Sequence, residues 1–184
     1  MARLVAFFLS RLPLAACALL LPSAQVSAAA AAPSEYAVKA AFLPKFAGYV
    51  AWPGNVRLAP GAPLMLCILG DDPFGRLIDS AVRGQLVDQR PIIVRRVTGA
   101  GAAAGCHIAF VQGGARTSAL LSGLGRSPIL TVTDERGGPQ RGMVHFVVQD
   151  GRVRFHIDEA EAARHGLSIN SRLLAIALTV RQRP

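Results

Sequence analysis

The sequence predicts an α/β fold: a single domain with a mainly parallel central sheet of about six strands, a C-terminal antiparallel hairpin and about five flanking helices. Three observations carry this. Short runs that are apolar on both faces, Leu64–Leu69 above all, alternate with helical patterns, as in a parallel sheet covered on both sides. The segment MVHFVVQDGRVRFHI alternates apolar and polar residues about an Asp-Gly pair, which is a hairpin signature. Residues 35–184 are long enough for one hydrophobic core and show no repeat or break in composition.

The chain opens with a secretory signal. MARLVAFFLSR carries Arg3 and Arg11, LPLAACALLLP is an apolar core too short to span a bilayer, and SAQVSA sets Val26 and Ala28 three and one before a cleavage point. Residues 1–28 are then the signal peptide, 29–34 a flexible lead and 35–184 the domain, so the mature protein is expected to be exported. Leu14-Ala15-Ala16-Cys17 also has the form of a lipobox, which would make Cys17 a lipidated N-terminus. Arg11 counts against that alternative, since few apolar residues separate it from Cys17, whereas the run through Leu21 makes a full hydrophobic region.

EYAVKAAFLPKFAGYVAWPG reads as a helix whose apolar face holds Tyr36, Leu43, Phe46 and Val50, ended by Trp52-Pro53-Gly54. Pro44 lacks an amide hydrogen and crowds the carbonyl of Ala40, so the helix should kink or restart there. Leu64–Leu69 is the opening strand. Asp71 or Asp72 caps the next helix, with Pro73 near its first position and Phe74, Leu77, Ile78 and Val82 on one side. RPIIVRRV, CHIAFV and PILTVTD are further strands, and RTSALLSGL is a helix between the last two.

In the C-terminal part the Asp150-Gly151 turn sets the hairpin register. Phe146 faces Phe155, Val148 faces Val153 and Val144 faces Ile157 on a core side; His145 faces His156 and Val147 faces Arg154 on a polar side. A short helix from Asp158 to His165 ends on Gly166, and NSRLLAIALTV follows as a last helix capped by Asn170 or Ser171.

The formal net charge of +9 falls to +7 once Arg3 and Arg11 leave with the signal. A secreted chain with no arginine cluster interleaved with aromatics does not point to nucleic acid. The basic surface is solvated, or attracts acidic envelope components or an acidic partner.

Several constellations could carry chemistry. Asp71, Asp72 and Asp134 each stand just past a parallel strand, where three carboxylates could hold magnesium for phosphate chemistry. Such sites add a lysine, and Lys39 and Lys45 both lie in the first helix, so capping and turn roles worth about 1 kcal/mol each are the expectation. TGAGAAAG, with Gly99, Gly101 and Gly105, leads straight into a strand and leaves no room for the helix a dinucleotide loop must open. His145 and His156 are close enough across the hairpin to share zinc or copper, but no third ligand is spaced to join them. No serine sits in a nucleophile elbow and Cys67 lies in a buried strand, so no catalytic residue, cofactor or metal site is expected.

If Cys17 leaves with the signal, Cys67 and Cys106 remain, an even count in an oxidising compartment, and they are expected to pair. Closing their loop of about 40 residues contributes about 4 kcal/mol in the chain-entropy treatment. Two unpaired buried thiols are the alternative.

The order of segments FAGYVAWP, CILGDDPFG, RPIIVRRV, GCHIAFV, PILTVTD, GGPQRGMVHFVVQDGRVRFHID and GLSINSRLL resembles the YfiR family of periplasmic proteins over nearly the whole mature chain. The resemblance implies a non-enzymatic regulator that binds the periplasmic part of an inner-membrane diguanylate cyclase and represses it, lowering cyclic di-GMP. It implies release by an OmpA-like outer-membrane lipoprotein, and a homodimer is possible. Cys67 and Cys106 match a family disulfide; a second one found in some members near the hairpin is missing, with His145 and Arg152 in that region. Pro44 stands where relatives carry an ordinary helix former. The resemblance transfers no catalytic residue and leaves the partner-contact residues unknown. Two other classes stand beside the repressor: a periplasmic small-ligand sensor with its cleft at the C-terminal strand edge, and a hydrolase using Asp71, Asp72 and Asp134.

Overall fold

The computed structural model describes residues 32–54, 56 and 61–183. The signal peptide, Cys17 and the first residues of the flexible lead lie outside them.

The first helix, α1 (Glu35–Phe46), starts where the Ser34 hydroxyl accepts the amide of Ala37 and runs two residues beyond Pro44 before tightening into a 3-10 turn, Ala47–Tyr49. With the helix ending so soon after Pro44, the missing amide costs only the last turn. A two-residue strand, β1 (Val50–Ala51), then separates the helix from Trp52-Pro53-Gly54 and pairs with β9 (Ser168–Ile169), an interaction the sequence does not announce.

The main sheet has eight strands in the order β10-β8-β7-β6-β5-β2-β4-β3. These are β2 (Leu64–Gly70), β3 (Leu86–Val87), β4 (Arg90–Val97), β5 (Ile108–Gln112), β6 (Leu130–Asp134), β7 (Val144–Gln149), β8 (Arg152–Asp158) and β10 (Thr179–Arg181). Pairing is parallel except between β3 and β4 and between β7 and β8. The hairpin has the register expected from Asp150-Gly151, both of which take positive φ.

Two short edge strands take the sheet beyond the six or so expected. β3 returns into β4 through Asp88 and Gln89, both at positive φ without a glycine, so the turn carries no sequence signal. The last helix is correspondingly shorter than predicted: α5 covers only Ser171–Ala175, capped by Asn170, and β10 lies parallel to β8. The free edge of β8 supplies partners for β-branched Thr179 and Val180, and that tertiary pairing overrides the helical pattern of SRLLAIALTV.

The second helix, α2 (Arg76–Val82), also begins later than expected. Asp72 Oδ1 accepts the amides of Phe74 and Gly75, capping a turn ahead of the helix, and Pro73 stays outside it. Phe74, Ile78 and Val82 face the core, whereas Leu77 is exposed. The remaining helices are α3 (Thr117–Gly123) and α4 (Glu159–Arg164), the latter capped by the Asp158 carboxylate.

One face of the sheet packs against α1, α2, α4 and α5 in a core centred on Phe46, Phe110, Phe146 and Phe155. The other face is covered only in part. Leu120, Leu121 and Leu124, at α3, and Ala103, in a 3-10 turn, pack on β2, β4 and β5 around the bonded pair Cys67–Cys106. Over β6, β7, β8 and β10 that second face carries polar residues instead: Thr133, His145, His156 and Thr179 stand in one cross-strand row.

Candidate functional site

Asp71, Asp72 and Asp134 stand at or just past the ends of β2 and β6. β2 ends at Gly70, whose φ is 93° and where a Cβ would lie 2.0 Å from the carbonyl oxygen of Gln112, so only glycine lets β2 and β5 close up here. Past this point the three aspartates go to three different partners. Asp71 is solvent-exposed and meets Arg116 at 3.3 Å. Asp72 holds its turn with one oxygen and the Arg96 guanidinium, on β4, with the other at 2.7 Å. Arg96 also reaches Asp79 on α2, holding its carboxyl below the usual range, and so ties the turn, the helix and the strand together.

Asp134 differs from both. Its side chain is fully buried and accepts from Lys39 Nζ at 2.5 Å and from the amide of Arg136 at 2.7 Å. The expectation of a cap-sized role is therefore too small for this residue. Lys39 is itself fully buried and reaches Glu35 one turn back, and Glu35 receives a bidentate pair from Arg136 at 2.6 and 3.0 Å. Arg136 is the main reason the Glu35 carboxyl is held down to about 2, with Lys39 adding to it against the opposing effect of burial. The Lys39 ammonium lies 5.2 Å from the centre of the Tyr36 ring. Two positive and two negative groups thus close on one another, locking α1 onto the end of β6. Each of the four charges has an opposite partner, so none is left buried and uncompensated.

The lysine that phosphate chemistry would want is thus present beside a strand-end carboxylate, contrary to what its place in the first helix implied. The signal lay in the pattern: Lys39 falls three residues after Tyr36 and four before Leu43, inside the apolar stripe, where a lysine must find a buried partner.

Cys67 of β2 is joined to Cys106, which stands two residues before β5. The bond closes a 39-residue separation containing α2, β3 and β4. Arg95, opposite Cys67 on β4, places Nη2 at 2.6 Å from the Ala104 carbonyl and 3.2 Å from the Cys106 sulfur. The glycine-rich run forms a 3-10 turn, Ala100–Ala103, and then enters Cys106 and β5.

The histidine pair is less exposed than a polar hairpin side would be. The rings of His145 and His156 lie 6.4 Å apart and 24° from parallel. His145 is 4% exposed. Its Nδ1 is 2.8 Å from the Thr133 hydroxyl, and His156 Nδ1 is 2.7 Å from that of Thr179. Burial is the main cause that pushes His145 down to about 4, with Arg141 and His156 adding to it; burial and Arg141 also lower His156. Burial thus favours the neutral form of both rings. They line a cavity of about 260 Å³ with Arg141, Asp158, Thr179 and Arg181. An adjoining cavity of about 300 Å³ shares Arg141, Gly142 and Asp158 and reaches Ser127, Glu161 and His165. Both lie toward the N-terminal ends of β6 and β7, the edge opposite the one where a ligand cleft was expected. Among the described residues no group of three histidines, cysteines or carboxylates could hold a metal ion.

A model of the YfiR/HmsC-like family matches residues 36–178 of the chain. No curated protein matches it.

Proposed function

The chain belongs to the YfiR/HmsC-like family, and on that footing we propose that it is a non-enzymatic periplasmic regulator, which binds the periplasmic part of an inner-membrane diguanylate cyclase and represses it, lowering cyclic di-GMP. The observation that carries the reading is the family match, which runs from the first turn of α1 to beyond α5. The strand-end carboxylates support it, since each is engaged by a basic side chain of its own.

Repression needs no bond chemistry. A protein that binds only the inactive state of a receptor shifts the receptor's equilibrium by its differential affinity, and a swing from 1:99 to 99:1 takes a preference of about 10⁴-fold. An OmpA-like outer-membrane lipoprotein competing for the same protein would relieve repression. The basic charge of the chain suits an acidic partner surface, and a disulfide suits an oxidising compartment. No helix among the described residues is long and apolar enough to cross a membrane.

Deleting the gene is expected to raise cellular cyclic di-GMP and biofilm formation. A copy without residues 1–28, retained in the cytoplasm, is expected to leave both high. Unchanged cyclic di-GMP after deletion, or rescue by the cytoplasmic copy, would overturn the reading.

A further inference from the structure

We propose that the cleft between β7, β8 and β10 binds a small tetrahedral oxyanion, a phosphate or phosphate monoester, through Arg141, His145 and His156.

The row Thr133–His145–His156–Thr179 crosses four strands, and its two outer hydroxyls each occupy the Nδ1 of the neighbouring ring. The hydroxyl of Thr133 already accepts the Gly142 amide at 2.8 Å, and its own hydrogen has no other acceptor among the described residues than His145 Nδ1. Neutral His145 therefore carries its proton on Nε2 and offers it as a donor. Neither Nε2 has a hydrogen-bond partner among the described residues, and both rings line the cavity of about 260 Å³.

Arg141, in the connection ahead of β7, likewise makes no hydrogen bond or ion pair among the described residues, although it lies close enough to add to the effect of burial on both imidazoles. Arg181 on the far wall is taken by Asp158 at 2.7 Å, which also removes the cavity's carboxylate from competition. Asp134 and Glu135 act weakly on His145 in the opposite sense to Arg141.

Arg141 and His145 donate from the connection and β7, and His156 on β8 joins them in its Nε2–H tautomer or once protonated; three such groups suit an oxyanion with three or four oxygens, whereas a planar carboxylate would satisfy two. A divalent cation would face Arg141 and find the acidic side chain of the cleft already paired. The adjoining cavity of about 300 Å³, with Ser127, Glu161 and His165 in its wall, gives room for the polar body of an ester. Burial, and Arg141 after it, disfavours charge on the two rings; an anion seated here sets an attraction against both, so binding and imidazole protonation favour one another. This site is independent of the repressor reading and stands if that reading fails.

The test is a histidine-resolved NMR titration of the mature protein at constant ionic strength. Inorganic phosphate, and separately glycerol 3-phosphate, replaces chloride. Both probes are read on His145 and His156, with His107 as the internal control, because its Nδ1 accepts the Met65 amide elsewhere in the fold. Saturable shifts of the two cleft histidines are expected, with their pKa values raised by about one unit or more. Arg141→Gln should abolish saturation and His156→Asn weaken it; both side chains are at least partly exposed, so folding is preserved. Tighter binding of the ester assigns a phosphate monoester, and equal or weaker binding assigns free phosphate. No saturable shift with either probe to about 10 mM, or an unchanged response in Arg141→Gln, would overturn the proposal.

Discussion

On one face of the central sheet a fully buried lysine meets a fully buried carboxylate; on the other, two cysteines are covalently joined. The Lys39–Asp134 pair spans 95 residues and pins α1 to β6, whereas Cys67–Cys106 spans 39 and pins β2 to the segment entering β5. They stabilise by different routes. In the chain-entropy treatment the disulfide acts by restricting the unfolded chain, so its contribution is set by the loop it closes and not by pH. The ion pair acts in the native state, where two desolvated charges are tolerated only while each keeps its partner. The contrast teaches that residues a catalytic site would use can be paired with one another at a strand end, Lys39 with Asp134 and Glu35 with Arg136.

The largest expected effect is loss of the covalent tie. Cys67→Ser and Cys106→Ser should each lower unfolding stability by about 4 kcal/mol, equally, since each breaks the same bond. Denaturant unfolding of both variants checks this, and a large difference between them would show that packing around the sulfurs matters more than the loop.

Breaking the ion pair from the lysine side comes next. Lys39→Met leaves Asp134 buried with one backbone amide and should cost about 3 kcal/mol, whereas Asp134→Asn should cost less, because Lys39 keeps Glu35. Equal costs, measured in the same unfolding assay, would remove the asymmetry on which the four-charge account rests.

The pH dependence sharpens the same contrast. His145 has its folded pKa depressed to about 4 from 6.5, so its contribution is full above 6.5 and is lost as pH falls from 6.5 through 4. Glu35 is held at about 2 against 4.5, so its contribution is lost as pH falls from 4.5 through 2. Stability of the oxidised protein should fall in those two windows, and the reduced protein should trace a parallel curve displaced by a constant amount. A redox gap that closes with acid would contradict a pH-independent tie.

The smallest effect is expected at the surface. Asp71→Asn removes an exposed pair with Arg116 and should change stability by less than about 0.5 kcal/mol. A larger loss on thermal unfolding would mean that Asp71 does more than the geometry assigns.

How far the sequence could be read follows from the range over which each feature is decided. The hairpin was legible to the individual pair, because Asp150-Gly151 imposes the register locally. The order of strands β2, β4, β5 and β6 with their intervening helices was legible from apolar runs and turn residues. Strand β10 was not, since SRLLAIALTV satisfies a helical pattern and its fate depends on the open edge of β8. The partners of the aspartates were beyond reach, because Arg116 lies 45 residues from Asp71 and Lys39 lies 95 from Asp134. Lys39 itself was readable as a buried charge, though not as the partner of Asp134. The burial of His145 escaped notice because the connection between β6 and β7, which supplies the Gly142 amide to Thr133, has no regular pattern of its own.

The central claim is that the protein acts by contact and that its buried charges serve the fold alone. The direct measurement is cyclic di-GMP in a strain lacking the gene and supplied with the double variant Lys39→Met, Asp134→Leu, in which an apolar pair replaces the buried charges and Glu35 keeps Arg136. Repression equal to that of the unmodified protein, with native circular dichroism and a cooperative unfolding transition, is the predicted result. A double variant that folds and still binds the cyclase but no longer lowers cyclic di-GMP would contradict the claim.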